Sequence, residues 1–416
     1  MWNKPWWTPN SIIGRLTVLF GLSVMVAQAQ TFTVLHSFTG GRDGANPLAG
    51  VSLDRSGNLY GTASVGGLGY GTVFQVQHRG SGWVLNPLYQ FQGGSDGYYP
   101  EAGVTVAPDG TLYGTTFYGG ITNPICLQGA VQTCGTVFHL RPPATACRNA
   151  LCPWTENLIY EFTGNYPSLF FPNFGNLVFD RAGNIYGVVN GGNPGGVYEL
   201  TPAGGGWSEM LLHIFQSPGA SPYGGVVTDS AGNLYGTTHG PQNQNRYGTA
   251  YELTRSGSGW SFSTLYSFQN ASDGAWPVAD LLLDTAGNLY GTTSSGGSGG
   301  GGTVFELTPS QGGWVFTLIY SFAGPNYVGP FGGLTMDATG NLYGTTLGGG
   351  AFQHGSVFKL THSSSGWTYA ALHDFTAGND GRSPYGQLIL DANGNLYGTA
   401  GWGGSNGYGV VWEITP

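Results

Sequence analysis

"DTAGNLYGTTSSGG", residues 284–297, contains a phrase that the chain repeats. GNLYGT begins at Gly57, Gly232, Gly287, Gly340 and Gly394, with the variants GTLYGT at Gly110 and GNIYG at Gly183. Successive starts lie 53, 73, 49, 55, 53 and 54 residues apart. A period near fifty is the mark of a repeat architecture, so the 416 residues read as one array and not as several unrelated domains.

Residues 277–322 contain one whole unit and parse into four short apolar runs separated by turns. In the fourth run Trp314, Phe316, Leu318, Tyr320 and Phe322 alternate, the period of a strand and not of a helix. Between the first and second runs stands D-x-x-G-N, where the Asp accepts turn amides and the Gly takes a positive φ. That Asp recurs at Asp54, Asp180, Asp229, Asp284, Asp337 and Asp391, and its role reads as structural.

Counting runs predicts the architecture. After the last third run the chain stops at Pro416, leaving the seventh unit without its fourth strand. The missing copy is TFTVLHSF, residues 31–38, whose Phe38 matches Phe91, Phe162, Phe215, Phe268, Phe322 and Phe375 at the ends of the other fourth runs. A first strand that completes the last sheet closes a ring and removes the exposed edge. The expectation is an all-β, seven-bladed β-propeller of four-stranded blades.

Lys4 and Arg15 precede the apolar run LTVLFGLSVMVA, and Ala27-Gln28-Ala29 supplies small residues for cleavage. Residues 1–29 therefore read as a secretory signal peptide, too short in its apolar part to span a bilayer, and residues 30–416 as the propeller. No later segment is apolar enough to span. Losing Lys4 and Arg15 from the 12 basic residues leaves 10 against 21 acidic ones, a balance of −11 that argues against a nucleic-acid partner. Only 8% of residues are charged, which suits an exported monomer without charge steering. Secretion, the cell surface and the periplasm all remain open as destinations.

All four cysteines fall in the long interval of blade 2, in insertions at about 121–153. An exported chain pairs them, with metal binding as the alternative. Cys126 and Cys134 belong to the connection between second and third strands, Cys147 and Cys152 to that between third and fourth, on opposite faces of the disc. Pairing within each connection, Cys126–Cys134 and Cys147–Cys152, avoids spanning the blade.

With these motifs in view, the chain resembles the bacterial GloVer-type tandem-repeat family. The unit reads DG-x-x-P, D-x-x-GNLYGTT, GTVF-x-LTP and LYSF, with DG-x-x-P at Asp43, Asp96, Asp273 and Asp380 and FELTP at 305–309. The resemblance spans residues 31–416 and implies export, often with a surface anchor, and no assigned reaction. The D-x-x-GNLY turn is also similar to turns in propellers that bind ligands or open lactone rings, a likeness of fold only.

Sites are sought where repeats disagree on the face that bears the channel mouth. Aromatic residues collect in those connections: Tyr98, Tyr99, Tyr118, Trp276, Tyr327, Tyr385, Trp402 and Tyr408. Flat rings among Asn, Gln, Ser and Gly suit stacking on sugars or peptides, set against the plainer reading that they roof the blade ends. Glu101 and Asp280 begin the first runs of blades 2 and 5, near the channel mouth but almost opposite each other, and His239 lies in a loop on the same face. They are the candidates for general acid–base chemistry or a calcium ion, set against the plainer reading as solvated rim groups. No metal site with recognisable spacing and no cofactor motif is present in the sequence.

The leading expectation is thus a non-catalytic binding or adhesion module for an extracellular glycan or a surface protein. The alternatives are a metal-assisted hydrolase or lyase acting on a sugar-lactone-like substrate at the channel mouth, and a structural component of envelope or matrix.

Overall fold

The computed structural model describes residues 30–416 apart from 127–132, 144–153, 165–170, 173, 191–194, 216–220, 241–245, 258 and 327. The expected signal peptide, Cys147, Cys152 and Tyr327 lie outside the described residues. Among those described, the strands form seven antiparallel sheets of four, arranged as the blades of a β-propeller. Among the described residues no helix is long and apolar enough to cross a membrane.

The repeated phrase explains itself letter by letter. Asp284 Oδ1 accepts the backbone N–H groups of Ala286 and Asn288, both at 2.8 Å. Its Oδ2 accepts the Asn288 side-chain amide at 2.9 Å and the Tyr290 hydroxyl at 3.3 Å. Gly287, at φ 90°, takes the left-handed turn position that side chains resist. A Cβ at Gly291 would run into the Phe305 ring of the adjacent strand, so the second glycine is the floor on which that aromatic lies. Thr293 Oγ1 pairs with Thr303 Oγ1 at 2.8 Å. Both oxygens of the Asp284 carboxylate are thus engaged by groups of the turn, which is how a tight connection satisfies backbone amides that the strands leave unpaired.

Blade 1 shows the unit in chain order: an inner strand Ser52–Leu53, then Leu59–Ala63, Thr72–Arg79 and an outer strand Gly82–Gln90. In blade 7 the inner three strands, Ile389–Leu390, Leu396–Ala400 and Val410–Thr415, are completed by Thr31–Ser37. Thr31 pairs with Thr415 and Ser37 with Val410, with a bulge between Val34 and His36. The expected closure is present.

Seven cores lie between neighbouring blades. The phenylalanine at the end of each outer strand is buried, from 0% exposed at Phe38 to 7% at Phe322. Each packs on the third-strand aromatic of the next blade: Phe38 on Phe74 with ring centroids at 5.2 Å, Phe268 on Phe305 at 5.1 Å, Phe375 on Trp412 at 5.9 Å. Burying each such ring contributes about 1.5–3 kcal/mol, and the edge-on pairing adds about 0.5–1.5 kcal/mol. The ring is held by one contact made seven times.

In blade 2, Cys126 and Cys134 form a disulfide with Cα atoms 5.2 Å apart, the expected pairing within one connection. His36 and His373 occupy outer-strand positions where other blades carry Tyr. Their rings reach the same partner: His36 Nε2 lies 2.9 Å from Asp43 Oδ2 and His373 Nε2 3.1 Å from Asp380 Oδ2, as the Tyr89 hydroxyl lies 3.0 Å from Asp96 Oδ2. They are packing variants.

Candidate functional site

At the head of each inner strand the chain runs through three equivalent positions before turning down the channel. These are Leu48-Ala49-Gly50, Glu101-Ala102-Gly103, Phe174-Gly175-Asn176, Tyr223-Gly224-Gly225, Val278-Ala279-Asp280, Phe331-Gly332-Gly333 and Tyr385-Gly386-Gln387. The middle position is always Ala or Gly, because inner strands meet there at backbone distance. A Cβ at Gly386 would collide with the amide of Gly50, and one at Gly224 with the peptide between Ala279 and Asp280. Small residues pull the ring tight around a narrow bore.

All seven first-position residues line one axial cavity of about 90 Å³. Asn176, Asp280 and Gln387, the third-position residues of blades 3, 5 and 7, form its floor, interleaved with glycines in the other blades. A second cavity of about 200 Å³ continues below, sharing Gly50, Asn176 and Gln387 with the first. Glu101 and Asp280, which sequence position sets almost opposite, thus line the same space because the bore is narrow. Asn176 and Gln387 were not singled out by sequence; the available signal was a side-chain amide at a position that four other blades fill with Gly.

The floor is partly tied down. Asp280 Oδ1 accepts the Gly225 N–H at 2.5 Å. The Gln387 side-chain amide donates to the Leu334 carbonyl at 2.8 Å, leaving its oxygen free of that bond. Asn176 Oδ1 is buried without a hydrogen-bond partner among the described residues. Burial raises the Asp280 carboxyl to about 6, partly offset by the backbone N–H groups of Gly225 and Asn176. Burial alone pushes Glu101 up to about 7, with no hydrogen bond from a described residue to oppose it. Both side chains open onto the cavity, Glu101 in its collar and Asp280 in its floor, and both are partly buried, so bulk water screens them less than at the open surface.

Around the mouth, the connection entering each inner strand bridges to the connection between second and third strands, as at Tyr98 with Tyr118, Ala275 with Ser295 and Arg382 with Trp402. Both kinds of loop therefore share one face. At the residue before the proline, Asn46, Tyr99, Phe171, Trp276 and Ser383 have φ between 54° and 60°. Such a conformation is costly for bulky side chains, and here it is held from both sides. The Tyr99 N–H donates to the Tyr70 carbonyl of the preceding blade, and the Tyr99 carbonyl accepts from Phe117, both at 3.0 Å.

The predicted aromatic residues divide into two groups. Tyr98, Tyr99 and Tyr118 are half-buried and belong to a continuous cluster with Tyr70, Phe117 and Phe171: Tyr98 stacks on Tyr118 at 5.2 Å and Phe117 on Phe171 at 4.9 Å. Burial, then the neighbouring Glu101, raises the Tyr118 hydroxyl, which ties this cluster to the channel. Tyr385 lines the cavity with Trp402 packed behind it at 5.4 Å, and Tyr408 is 45% exposed over Gly40. Trp276, by contrast, is only 8% exposed and lies near-parallel to His239 at 5.9 Å. His239 is itself buried, its Nδ1 2.8 Å from the Gly240 carbonyl and its ring against Tyr223; burial lowers its pKa. Among the described residues no group of three or more His, Cys, Asp or Glu side chains is placed to hold a metal ion. A calcium ion here would have to rely on Glu101, Asp280 and amide oxygens.

The Gloeobacter/Verrucomicrobia repeat model matches residues 18–168 and 172–412, and the chain belongs to that family. No functionally curated protein matches the sequence. Among solved structures it is similar to the polysaccharide lyase Uly1, at 11% identity and TM-score 0.52, covering 89% of this chain and 90% of that one. It is similar also to PorZ, a surface component of the type-IX secretion system of Porphyromonas gingivalis, at 14% identity and TM-score 0.50, covering 88% of this chain and 46% of that one. A Dyadobacter fermentans protein of unknown function aligns over 93% of this chain and 99% of its own at 12% identity and TM-score 0.47. At these identities the likeness is one of fold.

Proposed function

We propose that this member of the Gloeobacter/Verrucomicrobia repeat family is an exported, non-catalytic binding module that recognises extracellular carbohydrate on the face around the channel mouth. The observation that carries the reading is the unbroken aromatic cluster of Tyr70, Tyr98, Tyr99, Phe117, Tyr118 and Phe171, set on backbone held by paired hydrogen bonds. Rings fixed in this way, some stacked and some edge-on, offer sugar C–H groups half-exposed aromatic surface at little entropic cost, with tyrosine hydroxyls to bond at the edges. Export is supported by the character of residues 1–29. The test is a glycan array probed with the purified protein and with a Tyr98→Ala, Tyr99→Ala, Tyr118→Ala variant. Binding weakened at least about tenfold, roughly 1.4 kcal/mol, supports the reading. Binding to no glycan, or binding indifferent to the three changes, moves the weight to a surface-protein partner or a structural role.

A second reading, a hydrolase or lyase, is favoured by Glu101, a carboxyl at the mouth of a cavity whose pKa near 7 lets it hold or give a proton at neutral pH. Incubation with polysaccharides and sugar lactones, followed for new reducing ends, unsaturated products or ring opening, decides it. Turnover abolished by Glu101→Gln would establish this reading, and the absence of any turnover removes it.

A further inference from the structure

We propose that the axial cavity is a binding site for an organic ammonium group presented at the end of a ligand. The inference is independent of the carbohydrate reading, since it concerns the bore and not the rim.

Its collar has the composition of a cation cage. Phe174, Tyr223, Phe331 and Tyr385 come from four different blades and line the same space, with Phe331 and Tyr385 set nearly perpendicular, 80° apart at 5.6 Å. Ring faces carry partial negative charge, and several of them around one volume attract an alkylated cation that water solvates weakly. Glu101 stands in the same collar and Asp280 in the floor, while no Lys, Arg or His lines the cavity. When both acids are ionised, the cavity holds two negative charges and no positive side chain of its own. Glu101 in particular has neither a hydrogen-bond donor nor an ion-pair partner among the described residues. A carboxylate left without a partner inside a poorly screened site is expensive, and a guest cation would relieve that cost.

The remaining lining distinguishes among cations. A hard metal ion seeks six or more oxygen ligands, whereas this wall is mostly rings, aliphatic side chains and glycine. An ammonium group needs one charge partner and apolar contact for its carbons, which Glu101 and the rings supply together. At about 90 Å³ the cavity is roomy enough for a compact head group and leaves the rest of a longer ligand at the mouth.

The raised carboxyls agree with this assignment, because a cation brought beside them would lower both and release protons on binding. The other titratable groups lining the cavity are the Tyr223 and Tyr385 hydroxyls, with Tyr118 near Glu101 and His239 behind Tyr223.

The experiment is titration calorimetry of the whole protein with tetramethylammonium, choline and butylammonium chlorides, beside the neutral choline isostere 3,3-dimethylbutanol and calcium chloride. The expected result is saturable binding of an ammonium salt. The neutral isostere should bind at least about tenfold more weakly, and affinity should fall about tenfold between about pH 8 and about pH 5 as the carboxyls protonate. Glu101→Gln should lose about tenfold with an unchanged melting curve at acid pH, and Tyr385→Leu should lose a similar factor. Should either variant fail to fold, the pH comparison and the neutral isostere decide on the native protein alone. Equal binding of the neutral isostere, affinity that does not change with pH, binding of calcium in place of the ammonium salts, or no saturable binding at all overturns the proposal. None of these ligands carries a sugar, so the glycan result cannot be mistaken for this one.

Discussion

Phe32, on the first strand of the propeller, stacks face to face on His373 of the outer strand of blade 6, with ring centroids 3.7 Å apart and planes within 9°. Phe32 also stands edge-on to Phe375 at 5.9 Å. The strand that closes blade 7 is thereby fastened twice: by its ladder to Val410–Thr415 and by a side chain gripping the neighbouring blade.

Two changes separate these fastenings. Phe32→Ala keeps the ladder and loses a half-buried ring, and should lower unfolding free energy by about 1–3 kcal/mol, read from a denaturant midpoint. Removing residues 30–38 also bares the edge of Val410–Thr415 and should produce aggregation visible by light scattering. A truncated protein that stays monomeric with an unaltered melting curve would contradict the closure.

Asp337 tests the turn chemistry. It accepts from the Thr339 N–H at 2.9 Å and hydroxyl at 2.7 Å, from the Asn341 N–H at 3.0 Å and side-chain amide at 2.7 Å, and from the Tyr343 hydroxyl at 2.9 Å. Burial would raise its pKa, but these bonds outweigh burial and hold it well below the usual carboxylate range. A depressed acid contributes stability that is present above its unfolded pKa and lost as pH falls through the folded one. Asp337→Ala should therefore cost about 1–3 kcal/mol at neutral pH and less in strong acid. Equal cost at both pH values would show that the charge does not matter.

The Tyr290 hydroxyl has one proton and two carboxylate neighbours, Glu306 Oε1 at 2.9 Å and Asp284 Oδ2 at 3.3 Å. Blade 1 avoids the conflict: the Gln75 amide donates to the Tyr60 hydroxyl at 2.9 Å, which donates in turn to Asp54 at 3.0 Å. Blade 3 resolves it with Arg255, whose Nη2 donates to the Tyr186 hydroxyl at 2.7 Å and to Glu199 at 3.2 Å. Glu306→Gln installs the blade 1 solution in blade 5 and should stabilise by about 1 kcal/mol at neutral pH. A shift of the denaturation midpoint to lower denaturant would refute the one-proton argument.

The fold was legible because its signals are local and repeated. GNLYGT announces a turn, a strand and a glycine floor in six letters, and the orphan strand ending at Phe38 shows how the ring closes. The channel site was less legible because it belongs to no local pattern. Glu101, Asn176, Asp280 and Gln387 are scattered over the chain, and only seven blades meeting at one axis bring them together. Trp276 and Tyr99 read alike in sequence, as loop aromatics before a proline, and both have a positive φ, yet Trp276 is buried against His239 while the Tyr99 ring joins the half-open cluster. Neighbouring loops decide that difference.

Glu101 offers the most direct separation of site from scaffold. Burial pushes its carboxyl up to about 7, so folding costs free energy once the unfolded chain ionises it. The sign follows from that: a raised acid favours the folded state below its unfolded pKa, and this advantage is lost as pH rises from about 4.5 through about 7. Glu101→Gln, which cannot ionise, should match the native protein in stability at about pH 4 and exceed it at about pH 8 by up to about 2 kcal/mol, measured by paired thermal melts. A residue kept for stability would show the reverse, a loss on substitution at every pH. The expected gain would identify Glu101 as a charge that the scaffold holds at its own expense, as binding or catalytic groups commonly are.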